Sequence, residues 1–222
     1  MTIRLRLTMG ILLMLACAFP YRAQEFLWRS EVKAPTVGSP VVGGDGNIYV
    51  ACSDERVRAY DPRGNATWTF VLKSRVTGQM ALQAGILYVP TGASAIEAVG
   101  TNGHRAWEYR VNHHIVGAPA VSSVGDIFFT TEDNFLFCIT SGGKLRWKVA
   151  LPGFVPQGPT IGPDGTVFVG CKDAVLAYDQ NGGRIWKYTY LGNLSAPLAV
   201  GPTGFVLAVA NDSRLYCLYP DG

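Results

Sequence analysis

The sequence predicts an all-β protein built of repeated four-stranded sheets, and three observations carry the prediction. Five tryptophans, Trp28, Trp68, Trp107, Trp147 and Trp186, stand 40, 39, 40 and 39 residues apart. A scarce residue used once per fixed period marks a structural repeat. Between them run short apolar and β-branched stretches divided by Gly, Pro, Asp and Asn turns. Beyond the N-terminus, no useful run has the 3.6-residue apolar period of a helix.

Composition agrees with this. Apolar residues make up 48% of the 222, enough for the core of a single large all-β domain. The 26 glycines and 13 prolines supply many tight turns. Charged residues are only 16% and the formal net charge is +3, with no basic run. A nucleic-acid partner is therefore not expected.

The first 23 residues have the form of a bacterial signal peptide. Arg4 and Arg6 precede an apolar stretch from Leu7 to Phe19, with Ala16-Cys17-Ala18 as a small-residue cleavage site and a second possible cut after Ala23. The uncharged run is shorter than the roughly 20 residues that span a bilayer. The mature domain is placed at 24–222, secreted or periplasmic. Cys17, after Met14-Leu15-Ala16, is a weak match to an acylation site. A membrane attachment is expected only if Cys17 is lipidated.

After the strand-like residues 26–33, the first repeat reads as strands near 39–42, 47–52, 56–60 and 66–71. Turns at Gly43-Gly44-Asp45-Gly46, Ser53-Asp54-Glu55 and Asp61-Pro62-Arg63-Gly64 separate them. The third repeat (118–149) and the fourth (159–188) follow the same grammar. The second is deviant, with Gln79-Met80 where a proline is due and Gly100 where Asp61 and Asp179 stand. The fifth runs from Ala196 through Leu218 to Gly222.

A single four-stranded sheet with two apolar faces cannot cover both, whereas radial stacking of sheets can. The fold class is therefore a β-propeller of about five blades. The Trp28 strand is expected to complete the last blade; the competing reading is an incomplete larger propeller. Ala59, Ala98, Cys138 and Ala177 are read as small because adjoining sheets approach there. Gly64, Gly103, Gly143 and Gly182, each four residues before a Trp, are expected at positive φ. The tryptophans are read as buried core filling.

Other chemistry is sparse. The cysteines occupy equivalent slots of different repeats, so no disulfide framework is expected, and none has zinc-type spacing. His113-His114 lacks a third ligand and reads as a solvated or packing pair. The Asp-Gly turns lack the alternating oxygens of a calcium loop. There is no nucleophile elbow and no phosphate loop followed by a helix.

The recurring unit, Ala or Cys, then Gly five residues on and Trp nine residues on, resembles the tryptophan-docking motif of the pyrroloquinoline-quinone-type propeller repeat. Ala59/Gly64/Trp68, Ala98/Gly103/Trp107, Cys138/Gly143/Trp147 and Ala177/Gly182/Trp186 carry it, with Cys217/Gly222 a fifth start. Asp61 and Asp179 match the family's aspartate; Gly100, Thr140 and Tyr219 depart from it. The family contains quinoprotein dehydrogenases and non-enzymatic scaffolds, such as the propeller lipoprotein of the bacterial outer-membrane barrel assembly machinery. Without adjacent cysteines or a catalytic insertion, this chain resembles the second kind.

The resemblance implies a secreted or periplasmic module that binds protein partners, with no catalytic site, no cofactor and no metal. A fragment of a quinoprotein dehydrogenase and a lectin-like propeller are the alternatives. By position alone, the interaction surface is placed on turns bearing Asp54, Arg56, Asp133, Asn134, Lys172, Asp173, Asp212 and Arg214.

Overall fold

The computed structural model describes residues 27–189, 192–194 and 196–222, and every regular element among them is a strand. The predicted leader at 1–23, including Cys17, and the start of the Trp28 segment lie outside these residues. The first sheet comprises β1 (Val41–Val42), β2 (Ile48–Cys52), β3 (Arg56–Tyr60) and β4 (Ala66–Val71). The second comprises β5 (Ala81–Gln83), β6 (Ile86–Thr91), β7 (Ala95–Gly100) and β8 (Arg105–Arg110). The third comprises β9 (Ile115–Val121), β10 (Ile127–Thr131), β11 (Phe135–Ile139) and β12 (Leu145–Ala150). The fourth comprises β13 (Thr160–Ile161), β14 (Val167–Cys171), β15 (Ala174–Tyr178) and β16 (Arg184–Thr189). The fifth has β17 (Ala199–Val200), β18 (Val206–Val209) and β19 (Leu215–Leu218).

Each sheet is an antiparallel meander in chain order. The second and third strands of the first four sheets are mostly apolar and almost wholly buried, with Arg58 and Glu97 as buried charged exceptions. The fourth strands β4, β12 and β16 alternate exposed and half-buried residues, which marks them as outer strands. Apolar clusters fill the gaps between successive sheets. Tyr49, Val57 and Ala59 meet Leu87 and Val99; Tyr88 and Ile96 meet Ile127 and Phe129. Phe128 and Leu136 meet Val169 and Leu176, and Phe168 and Val175 meet Val206 and Ala208. This is the predicted propeller architecture, with five sheets.

A three-residue cross-strand unit recurs in the first four sheets. Tyr49 pairs with Ala59, which pairs with Trp68. Tyr88–Ala98–Trp107, Phe128–Cys138–Trp147 and Phe168–Ala177–Trp186 repeat it. The two rings approach over the small residue, with centroids 5.7 or 5.8 Å apart in every case. Close approach of the sheets alone does not account for the small residue, since it also lets two aromatic rings of its own sheet meet. A register shift follows each such Ala or Cys, so the bulged outer strand twists just where it carries the Trp.

One expectation is corrected. Residues 27–33 form no strand, and the fifth sheet has three strands among the described residues. Trp28 instead lies on the first sheet, and Val32 and Ala34 pack on Val50, Cys52 and Tyr60 there. Among the described residues, none of the apolar clusters joins the first sheet to the fifth. Ring closure depends on the summed rotation between sheets, which no local residue pattern encodes.

Candidate functional site

The tryptophans are half-buried rather than core, because each reaches forward to the next sheet. Trp28 Nε1 donates to the Pro62 carbonyl at 2.9 Å, Trp68 to Thr101 at 2.9 Å and Trp107 to Ser141 at 2.7 Å. Trp147 donates to Gln180 and Trp186 to Pro220, both at 2.8 Å. The accepting carbonyl always lies two residues before a glycine at positive φ, from 74° at Gly143 to 100° at Gly222. The prediction for these glycines holds, and sterics add a second reason. A Cβ on Gly143 would stand 2.7 Å from the Trp107 ring.

These contacts fix one rim of the stack. The opposite rim carries the turns between second and third strands, together with the linkers that enter the next sheet. Linker and turn are stitched by backbone bonds such as Gly92 N–H to Arg75 O at 2.8 Å, Glu132 N–H to His114 O at 3.0 Å and Lys172 N–H to Phe154 O at 2.8 Å. All eight sequence-predicted residues fall on this rim, on four equivalent turns.

Their environments differ. Asp54 is held by Arg58, which donates to both carboxylate oxygens at 2.9 and 2.5 Å, and by Arg56 at 3.3 Å. Arg58 and Arg56 keep its carboxyl below the usual range. Asp212 accepts from the Tyr216 hydroxyl at 2.6 Å and from the Arg214 amide, and Tyr216's bond lowers the carboxyl in the same way. Lys172 and Asp173 are exposed. Asp133 Oδ2 stands 3.7 Å from His113 Nε2. Asp133 Oδ1 and Asn134 Oδ1 are buried and accept no hydrogen bond among the described residues. Asn134 takes φ of 62°, so its carbonyl can accept from the Leu151 amide at 2.7 Å.

Two hollows open on this rim on either side of the His113-His114 linker. One, of about 190 Å³, is lined by Tyr109, Asn112, His113, Asp133 and Lys148 among others. The other, of about 410 Å³, is lined by Arg75, Thr77, His114 and Glu132 with Val76 and Ile115. The sequence had set the histidines aside; the fold places them between the hollows. His114 Nδ1 is 3.3 Å from Ser94 Oγ. No group of three metal-ligating side chains is assembled among the described residues. The arrangement can present mixed charge and hydrogen-bonding groups to a polar surface.

Beside this rim, an ion-pair network clamps the first two sheets, and the sequence pattern did not reveal it. Glu97 is fully buried, pairs with Arg105 at 2.7 Å and accepts from the Lys73 amide at 2.9 Å. Glu108 joins Lys73, Arg105 and Arg110 in the same cluster, and the Lys73 ammonium holds its carboxyl below the usual range. The only sequence signal was a glutamate inside an otherwise apolar strand.

The family model described as outer membrane protein assembly factor BamB matches residues 22–124 and 106–190. The chain belongs to the BamB family. The BamB of Nitrosomonas eutropha is 33% identical over 174 residues, 73% of this chain and 42% of that protein. The chain thus spans under half the length of this curated relative. The crystal structure of BamB from Moraxella catarrhalis superposes with a TM-score of 0.68 at 18% identity, over 87% of this chain and 63% of that one. BBS1N in complex with ARL6DN superposes with a TM-score of 0.66 at 15% identity, over 80% and 62%. These two likenesses concern the fold alone. The BamB-family propeller therefore accounts for the forward-reaching tryptophans as seams between its sheets, which leaves the opposite rim as the candidate surface.

Proposed function

We propose that this chain is a periplasmic, non-catalytic scaffold that binds protein partners during outer membrane protein assembly, and that it does so with the rim of second-to-third-strand turns. The single observation that carries the reading is the coherence of that rim. Equivalent turns from successive sheets are stitched to the preceding linkers and present Asp54, Asp133, Asn134, Lys172, Asp173 and Arg214 from one end of the stack. A rigid ring of loops gives many contacts at little ordering cost. The BamB family model favours this reading over a quinoprotein one.

In the same proposal, residues 1–23 export the chain, the propeller domain begins at 24, and acylation of Cys17 would tether it. Site-specific photocrosslinking in a Gram-negative periplasm tests the rim. Probes at Asp133, Lys172 and Arg214 are expected to capture assembly proteins. Probes at Arg63, Asn102 and Asn181, on the opposite rim, are expected not to. Equal capture from both rims, or capture only from the second, would overturn the assignment.

A further inference from the structure

One outer-strand position is filled differently in the first four sheets. Thr69, Glu108, Lys148 and Lys187 each follow a Trp, and they pair with Arg58, Glu97, Phe137 and Leu176 of the third strand. In the first two sheets that inner neighbour is a buried charge with its own counter-ion: Asp54 holds Arg58, and Arg105 holds Glu97. In the third and fourth the inner neighbour is apolar. Lys148 and Lys187 meet no carboxylate among the described residues. These two cations therefore serve no ion pair inside the fold.

They stand in a basic surface. Lys144, Arg146 and Lys148 at β12, and Arg184 and Lys187 on β16, are exposed, and neither strand carries a carboxylate. Arg146 is paired with Asp126 at 3.0 Å. The other carboxylates of these two sheets sit in turns at the rims, Asp164 and Asp179 at one, Glu132, Asp133 and Asp173 at the other. Leu145 and Ile185 lie among the cations, 47% and 53% exposed. β12 and β16 are the outer edges of their sheets, so radial stacking leaves them uncovered. Charge on an edge strand also discourages unwanted pairing, but the equally exposed edge β4 carries none. Edge protection is therefore not the common cause.

We propose that the outer edges of the third and fourth sheets bind an anionic phospholipid surface. Lys144, Lys148, Arg184 and Lys187 face the headgroup phosphates, and Leu145 and Ile185 enter the headgroup boundary. Cations add their attraction to an anionic leaflet within a Debye length of it, and aliphatic side chains between them gain from interfacial burial. An acidic protein surface would match the cations but not the two aliphatics. This surface is separate from the rim assigned to protein partners and does not rest on that reading.

Co-sedimentation of the full chain with vesicles, no protein partner present, tests this. Phosphatidylcholine vesicles containing phosphatidylglycerol are expected to bind at least about tenfold more tightly than phosphatidylcholine alone, with the preference lost in high salt. The neutral vesicles remove any contribution of the apolar stretch at Leu7–Phe19. Lys148→Glu/Lys187→Glu is expected to lose about tenfold on the anionic vesicles. Arg29→Glu/Arg63→Glu, the same change of charge at exposed positions beside the first sheet, is expected to stay within about twofold. In a Cys17→Ser/Cys217→Ser background, an environment-sensitive dye on Ile185→Cys is expected to shift to the blue on anionic vesicles, and on Arg63→Cys not to. No preference for anionic vesicles would overturn the proposal in favour of a soluble acidic partner. Equal losses from the two charge-reversed variants, or a dye shift at Arg63→Cys alone, would overturn it as well.

Discussion

The Trp107 indole crosses from the second sheet to the third and donates to the Ser141 carbonyl at 2.7 Å, directly over Gly143. Ring, carbonyl and glycine form one seam, and the glycine is required twice, for its backbone conformation and for its missing Cβ.

Gly143→Ala is expected to destabilise the protein by about 1–3 kcal/mol, because φ is 74° and the new Cβ meets the Trp107 ring. Gly142→Ala, whose Cβ would come no nearer than 3.8 Å to Thr140, is expected to change stability by less than about 0.5 kcal/mol. Urea unfolding of the two variants distinguishes backbone strain from mere sequence proximity.

Trp147→Phe keeps an aromatic ring beside Phe128 but loses the bond to Gln180. A loss of about 1 kcal/mol is expected from the hydrogen bond, with a further cost from the smaller ring. Equilibrium unfolding checks this. A variant as stable as the parent would show that the indole N–H contributes nothing to the seam.

Asp54 gives a pH signature. Arg58 and Arg56 hold its folded carboxyl below the usual range, so its stabilising effect is complete above the unfolded value and fades as pH falls through the folded one. Asp54→Asn is therefore expected to be less stable than the parent at neutral pH, with the gap narrowing in acid below the ordinary carboxylate range. Denaturation midpoints of both proteins across that range measure the gap.

The thiols divide by burial. Desolvation pushes Cys138 and Cys171 up to about 12, and Cys52 is also raised, while Cys217 is exposed. Iodoacetamide at neutral pH is expected to label Cys217 rapidly in the native protein, and the other three only after unfolding. Peptide mapping by mass spectrometry reads the sites directly.

Much of the fold was legible because the repeat is written in residues with few substitutes. Tryptophan spacing set the period, and the glycine four residues before Trp68, Trp107, Trp147 and Trp186 announced the positive φ that the turn adopts. The aromatic partners Tyr49, Tyr88, Phe128 and Phe168 have the same period, but in β-rich sequence such rings pass for ordinary strand residues. Their role appears only when three strands align them with the Trp. The site was less legible. Turn position placed Asp54 and Asp212 on the rim, yet only coordinates show Arg58 and Tyr216 occupying their carboxylates. The destination of Trp28 was misread because period gives membership of an outer strand, not which sheet stands beside it.

The indoles all point one way along the stack, so each repeat grips its successor and is gripped by its predecessor. Such a chain behaves as a row of nearest-neighbour couplings. Under tension applied from beyond Gly222, the described repeats should peel one at a time, the Trp186–Pro220 latch giving way before the Trp28–Pro62 latch. A force–extension trace would then show a ladder of similar steps rather than one cooperative rupture.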